Sequence, residues 1–173
     1  GRGSSSLKVD NTYILDDDFY VEQLRELLQG LELWESRITL IGTSLGGGVA
    51  ASFCAHFPEK VENMILVSPV GLMSKTALPV IARLPSLGCC GRIAQFFLEK
   101  CCGSFVEQYL LDSFRYSRWS EFFQEDVTRP YFVPNYWNTL QNFPFSDMLG
   151  VYRRVRDTSD CRILLIWGED DRI

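Results

Sequence analysis

The sequence predicts an α/β fold built on a parallel sheet, from three observations. Three short runs, at 37–41, 63–69 and 163–167, are rich in aliphatic residues that do not alternate with polar ones, the pattern of parallel strands covered on both faces. The first two are separated by a small-residue helical stretch at 49–57, which makes a β-α-β unit, expected to be right-handed. The first run also leads straight into Gly42-Thr43-Ser44-Leu45-Gly46, a G-x-S-x-G sequence standing between strand and helix.

Composition narrows the class. With 173 residues, 46% of them hydrophobic, the chain can bury a real core as one domain or one domain with an insertion. A net charge of −5 and the lack of a basic cluster argue against nucleic acid as a partner. No apolar run approaches the roughly 20 residues that span a membrane. The six cysteines include two vicinal pairs, Cys89-Cys90 and Cys101-Cys102, without the C-x-x-C spacing of a zinc site, so no metal is expected. They read as reduced thiols, buried or idle, which favours a reducing compartment such as the cytoplasm. Acylation of the vicinal pairs, and with it membrane association, is the alternative.

In chain order, residues 1–11 form a Gly/Ser-rich and polar loop without periodicity. Asp16, Asp17 and Asp18 then precede a helix whose apolar positions Tyr20, Val21, Leu24, Leu27, Leu28 and Leu31 recur every three or four residues, with Gly30 near its end. The three acids suit the N-terminal cap and the positive end of the helix dipole. After the first strand and the G-x-S-x-G turn, the helix at 49–57 stops at Pro58. The third strand ends in the acidic loop Gly168-Glu169-Asp170-Asp171, at the carboxyl end of a parallel sheet, where such folds build their sites.

Residues 71–158 lie between the second and third strands and hold most of the chain's aromatic residues. A crossover needs only about a dozen residues. The excess therefore reads as an inserted helical cap, with helices around 93–101, 105–114 and 146–155 and with Pro130, Pro134 and Pro144 as punctuation. Of its aromatics, Phe96, Phe97, Phe122, Phe123, Tyr136 and Trp137 are candidates to line an apolar pocket over Ser44. Packing of the cap on the sheet is the role expected for most of them. The domain plan is thus a partial core at 1–70, a cap at 71–158, and a returning strand with its loop at 159–173.

The turn at Ser44 has the form of a nucleophile elbow. A tight strand-to-helix turn strains the serine and pushes its hydroxyl out above the sheet, and Gly42 and Gly46 are expected to remove Cβ atoms that would block that turn. The N–H of Leu45 opens the helix and aims at the same point, where it can donate to an oxyanion with the helix dipole behind it.

These residues resemble the α/β-hydrolase family, in its serine-nucleophile branch with a helical cap, which includes esterases, monoacylglycerol lipases and carbon-carbon bond hydrolases. Gly42 to Gly47 is similar to the family's elbow, Phe57-Pro58-Glu59-Lys60-Val61 and Ser68-Pro69 to its next helix end and strand end, and Gly1-Arg2-Gly3-Ser4 to the loop after its fourth strand. Trp167 to Asp171 resembles the G-x-x-D loop after its seventh strand, which implies that Asp171 is the acid of a Ser-His-Asp triad, with Asp170 as the alternative. The resemblance implies a serine hydrolase acting on an apolar ester or lipid through an acyl-enzyme, without a cofactor. Acyl transfer at the same site is one rival reading, and a catalytically silent binding module the other.

Two family features are missing. The one histidine, His56, lies before Asp171 on the helix after the elbow, whereas the family order is serine, acid, histidine; a satisfied or surface helix position is expected for it. No His-Gly oxyanion loop precedes the elbow. The sequence therefore reads as an internal stretch of a longer enzyme, inactive by itself, with its base and second oxyanion donor elsewhere.

Overall fold

The computed structural model describes residues 13–72 and 132–171. These fall in two compact units, one of residues 15–72 with 143–171, which holds the sheet, and one containing residues 13–14 and 132–142. The expected helices around 93–101 and 105–114 lie outside the described residues.

The sheet unit begins with α1 (Asp17–Gly30), capped by Asp16, whose carboxylate accepts the Phe19 N–H at 2.9 Å. That cap, with Asp17 and Asp18 in the first turn, is the arrangement expected from the acidic run. Val21 and Leu28 are buried, while Leu27 and Leu31 stay exposed, so the apolar stripe is narrower than the sequence spacing implies. β1 (Ile38–Thr43), α2 (Leu45–His56) and β2 (Val61–Val67) form the expected β-α-β unit, with a short 3-10 turn at Pro58–Lys60 before β2. β3 (Arg162–Ile166) completes a parallel sheet of order β1-β2-β3.

β2 starts two residues earlier than its apolar run suggests. Its polar opening is satisfied by neighbours: Glu62 pairs with Arg162 of β3 at 3.2 Å, and the Asn63 amide donates to the Thr39 hydroxyl of β1 at 2.9 Å. The register sets Leu40, Met64 and Ile163 side by side, and likewise Gly42, Leu66 and Leu165.

Among the described residues, one face of β1 and β2 is covered, by α2. Met64 and Leu66 are buried, but Ile41 is 70% exposed and every residue of β3 is exposed. The core lies on the α2 side of β1 and β2, where Ala50, Phe53, Cys54 and Ala55 meet Val61, Met64, Leu66, Val21, Leu28 and Val155. Small residues at Ala50 and Ala55 let α2 lie close to the sheet, Ser52 donates to the Asp17 carboxylate of α1 at 2.9 Å, and the helix has hardly any polar face.

A last helix of this unit, α4 (Leu149–Thr158), packs on α2 through Val155. It runs three residues beyond the expected end. The other unit contributes α3 (Phe132–Asn142), which the sequence reading did not anticipate. Pro134 sits in the first turn of α3, where a missing N–H breaks no intrahelical bond. In that unit Trp137 is buried and Tyr136 stacks on Phe132 with centroids 6.0 Å apart. Phe96, Phe97, Phe122 and Phe123 lie outside the described residues.

Candidate active site at the carboxyl edge of the sheet

Ser44 joins β1 to α2 with φ 52° and ψ −118°, a combination far from the wells that non-glycine residues occupy. Its backbone is pinned on both sides. The Ser44 N–H donates to the Val67 carbonyl of β2 at 3.0 Å, and its carbonyl accepts from Gly47 at 2.9 Å, Gly48 at 3.3 Å and Val70 at 3.2 Å. A serine preceding a helix ordinarily turns its hydroxyl onto an N–H of the first turn. Here it makes no such cap, and the residue is exposed.

The turn depends on close backbone approach. A Cβ at Gly42 would stand 2.3 Å from the Gly46 carbonyl oxygen, and one at Gly47 would stand 2.7 Å from Pro69 Cβ. Gly46 differs from the expectation: an added Cβ there meets nothing within 4 Å among the described residues. Its contribution is the carbonyl that Gly42 must clear, so the steric demand falls on Gly42 and Gly47. The G-G-G run was the available signal for Gly47.

Beneath the turn lies a small cluster of Val70, Phe143 and Met148, against which Leu45, Val49 and Tyr152 pack. Tyr152 donates its hydroxyl to the Val70 carbonyl at 2.6 Å, and Val70 in turn donates to Ser44. Burial pushes the Tyr152 phenol up to about 12. Sequence reasoning gave no sign of this link, because nothing in the pattern around Tyr152 distinguishes it from a packing aromatic. The Leu45 N–H is the first of α2 and one of four that a helix leaves without an internal acceptor.

The acidic loop leaves the same edge of the sheet from β3. It turns back on itself through the Asp171 N–H, which donates to the Gly168 carbonyl at 3.1 Å, and Ser68 at the end of β2 donates to the Ile166 carbonyl at 2.8 Å. Asp171 is half-buried and Asp170 exposed. One strand separates the loop from Ser44, a span of about 10 Å at the usual strand spacing.

His56 is placed elsewhere. It lies at the far end of α2, about 18 Å from Ser44 along a helix rising about 1.5 Å per residue. There its Nδ1 donates to the Ser52 carbonyl at 2.8 Å and its Nε2 stands 3.4 Å from Asp18 of α1. Among the described residues no group of three or more His, Cys, Asp or Glu side chains gathers in a way that could hold a metal, and no helix is long and apolar enough to cross a membrane.

A parallel β-α-β unit with a strained serine at the strand-to-helix turn and an acidic loop on the same edge defines a hydrolase-type α/β fold. The chain belongs to the alpha/beta hydrolase fold family, whose sequence profile matches residues 2–173. Among its relatives, mouse monoacylglycerol lipase ABHD6 is 37% identical over 86 residues, half of this chain and 25% of that protein. The uncharacterized protein Rv2715 of Mycobacterium tuberculosis is 41% identical over 68 residues, 39% of this chain and 19% of its own length. The matched stretches are thus a quarter or less of those two proteins. A crystal structure from work on carboxylesterases of the thaumarchaeon Nitrososphaera gargenis superposes with a TM-score of 0.66 at 20% identity, covering 99% of this chain and 60% of that one. A hydrolase of Pseudomonas aeruginosa superposes with a TM-score of 0.57 at 16% identity, covering 97% of this chain and 69% of that one. The fold is shared, and the family is one of hydrolases.

Proposed function

We propose that the chain is the nucleophile- and acid-bearing part of a serine hydrolase that cleaves apolar carboxylic or lipid acyl esters through an acyl-enzyme. The observation that carries this reading is the backbone of Ser44, φ 52° and ψ −118°, with an exposed hydroxyl that declines to cap its own helix. Strain of this kind costs on the order of 1–3 kcal/mol and persists where the site needs it.

In this mechanism Ser44 Oγ attacks the ester carbonyl while a histidine takes its proton. The Leu45 N–H donates to the oxyanion that develops, and the tetrahedral intermediate collapses with the histidine returning the proton to the leaving alcohol. Asp171 holds that imidazole in the productive tautomer and stabilises its protonated form. The gap of about 10 Å between β1 and β3 leaves room for a ring between hydroxyl and carboxylate. His56 is too far away to be this base, so in this reading the base is a histidine other than His56. The ester class is supported by the likeness to monoacylglycerol lipase ABHD6 and by the fold shared with a structure from carboxylesterase work.

The test is covalent labelling with a fluorophosphonate. A longer natural form of the protein carries the label on Ser44, and Ser44→Ala removes it. Label on another serine, or none in a folded longer form, rejects the assignment. Ser44-dependent turnover of short-chain nitrophenyl esters by the 173 residues alone would mean that they contain a base of their own.

A further inference from the structure

Cys54 and Cys161 lie 107 residues apart in sequence, yet their sulfurs approach to 3.6 Å, the Cys54 thiol donating to Cys161. Both are free thiols. Cys54 is fully buried on the sheet face of α2, in the core beside Val61 and Met64. Cys161 is half-buried in the residue just before β3, and its N–H donates to the Ser159 hydroxyl at 3.3 Å. A disulfide needs sulfurs about 2.05 Å apart, so closure asks for a movement of roughly 1.5 Å. Cys161 stands outside the strand proper, where such a shift disturbs no ladder bond within β3.

From this juxtaposition we infer that Cys54 and Cys161 are a redox-modification site, a dithiol that a low-molecular-weight disulfide such as glutathione disulfide oxidises to an intramolecular bridge tying α2 to β3. The order of events follows from access. The Cys161 thiolate attacks one sulfur of glutathione disulfide, forming a mixed disulfide and releasing one glutathione thiolate. The Cys54 thiolate then attacks the Cys161 sulfur, which forms the bridge and releases the second glutathione thiolate. Two electrons pass from the pair to the oxidant, and the two thiol protons end on the released glutathiones. Burial pushes the Cys54 thiol up to about 11, so little of it is thiolate and it is not the group that opens the oxidant; its attack comes second and rests on the 3.6 Å approach to Cys161. The inference is independent of the catalytic reading. The bridge would join the helix that starts at Ser44 to the strand that leads to Asp171.

The experiment equilibrates the folded protein in glutathione buffers of increasing oxidised fraction, blocks remaining thiols with iodoacetamide, and maps peptides without reduction. The expected result is one linked pair containing Cys54 and Cys161, lighter by two hydrogen atoms and released by dithiothreitol. It survives replacement of Cys89, Cys90, Cys101 and Cys102 by serine and is lost in Cys161→Ser. The bridged form should melt roughly 5–10 °C above the reduced form, since the bridge closes a long loop. Recovery of Cys54 and Cys161 as alkylated thiols or glutathione adducts in the most oxidising buffer overturns the inference. So does equal yield of the bridge in urea, which would show that the fold does not direct it.

Discussion

Substituting alanine at Gly42 tests the turn most directly. The added Cβ would stand 2.3 Å from the Gly46 oxygen, 2.5 Å from the Gly46 carbonyl carbon and 2.7 Å from the Gly47 nitrogen. All three are backbone atoms, so no rotamer change relieves the overlap. The first turn of α2 must move away, which strains the bonds that Gly47 and Gly48 donate to the Ser44 carbonyl, each with a net value of about 1 kcal/mol. With about 1–3 kcal/mol for overpacking, Gly42→Ala should destabilise the fold by roughly 3–5 kcal/mol. For a chain of this size that is a fall in Tm of about 6–20 °C. Gly46→Ala is the control: apart from its chain neighbours and the backbone of its own helix, no described atom lies within 4 Å of the added Cβ, and alanine in a helix gains about 0.5–1 kcal/mol over glycine. Thermal and urea unfolding of both variants, followed by circular dichroism, measures the contrast. The steric account fails if Gly42→Ala unfolds within about 0.5 kcal/mol of the parent, or if Gly46→Ala loses as much as Gly42→Ala.

Three further outcomes are expected. Ser44→Gly should stabilise the fold by about 1 kcal/mol in urea unfolding, because strain of about 1–3 kcal/mol is relieved against a smaller entropic cost of glycine; no change or a loss would mean that the backbone at Ser44 is not strained. Tyr152→Phe should lose about 1 kcal/mol with its hydrogen bond to Val70. The Tyr152 phenol is raised from its ordinary 10 to about 12, so its contribution is complete below pH 10 and is lost as pH rises through about 12, and the variant's stability should fall less steeply across that window. In an active longer form, Asp171→Asn should cut kcat by about 10⁴ with KM little changed while Asp170→Asn stays mild; the reverse order in steady-state kinetics would move the acid by one position.

What the sequence made legible is what local rules control. The Asp16 cap, the turn at Gly42 to Gly46 and the parallel strands follow from residue types at fixed spacing. An apolar run reports what a strand tolerates, whereas exposure depends on what covers it; β3 pairs with β2 on one side while α2 lies over β1 and β2. The start of β2 was missed because Glu62 and Asn63 look like loop residues until Arg162 and Thr39 stand beside them. α3 was missed because a proline was taken as a stop, although in a first turn it costs no bond. The approach of Cys54 to Cys161 and the link from Tyr152 to Val70 span 107 and 82 residues and leave no mark in any local pattern.

A positive φ does not by itself argue for function in this chain. Glu32, just past the end of α1, has φ 58°, and Ser68, just past the end of β2, has φ 43°. Left-handed residues at element ends are common enough to need no further reason. Ser44 differs in its ψ of −118°, which takes it out of the left-handed well, and in what holds it there. One bond given and three accepted tie it to β2, to α2 and to the segment after β2, so the turn relaxes only if all three give way together. A serine free to choose would adopt extended dihedrals and cap α2, a gain of about 1 kcal/mol beside the strain relieved. Relative to a total stability of about 5–15 kcal/mol that is a large amount to forgo. The forgone stability leaves a hydroxyl exposed beside the first free N–H of a helix. Under the proposed function that pairing sets an attacking oxygen beside an oxyanion donor, a demand that packing does not make.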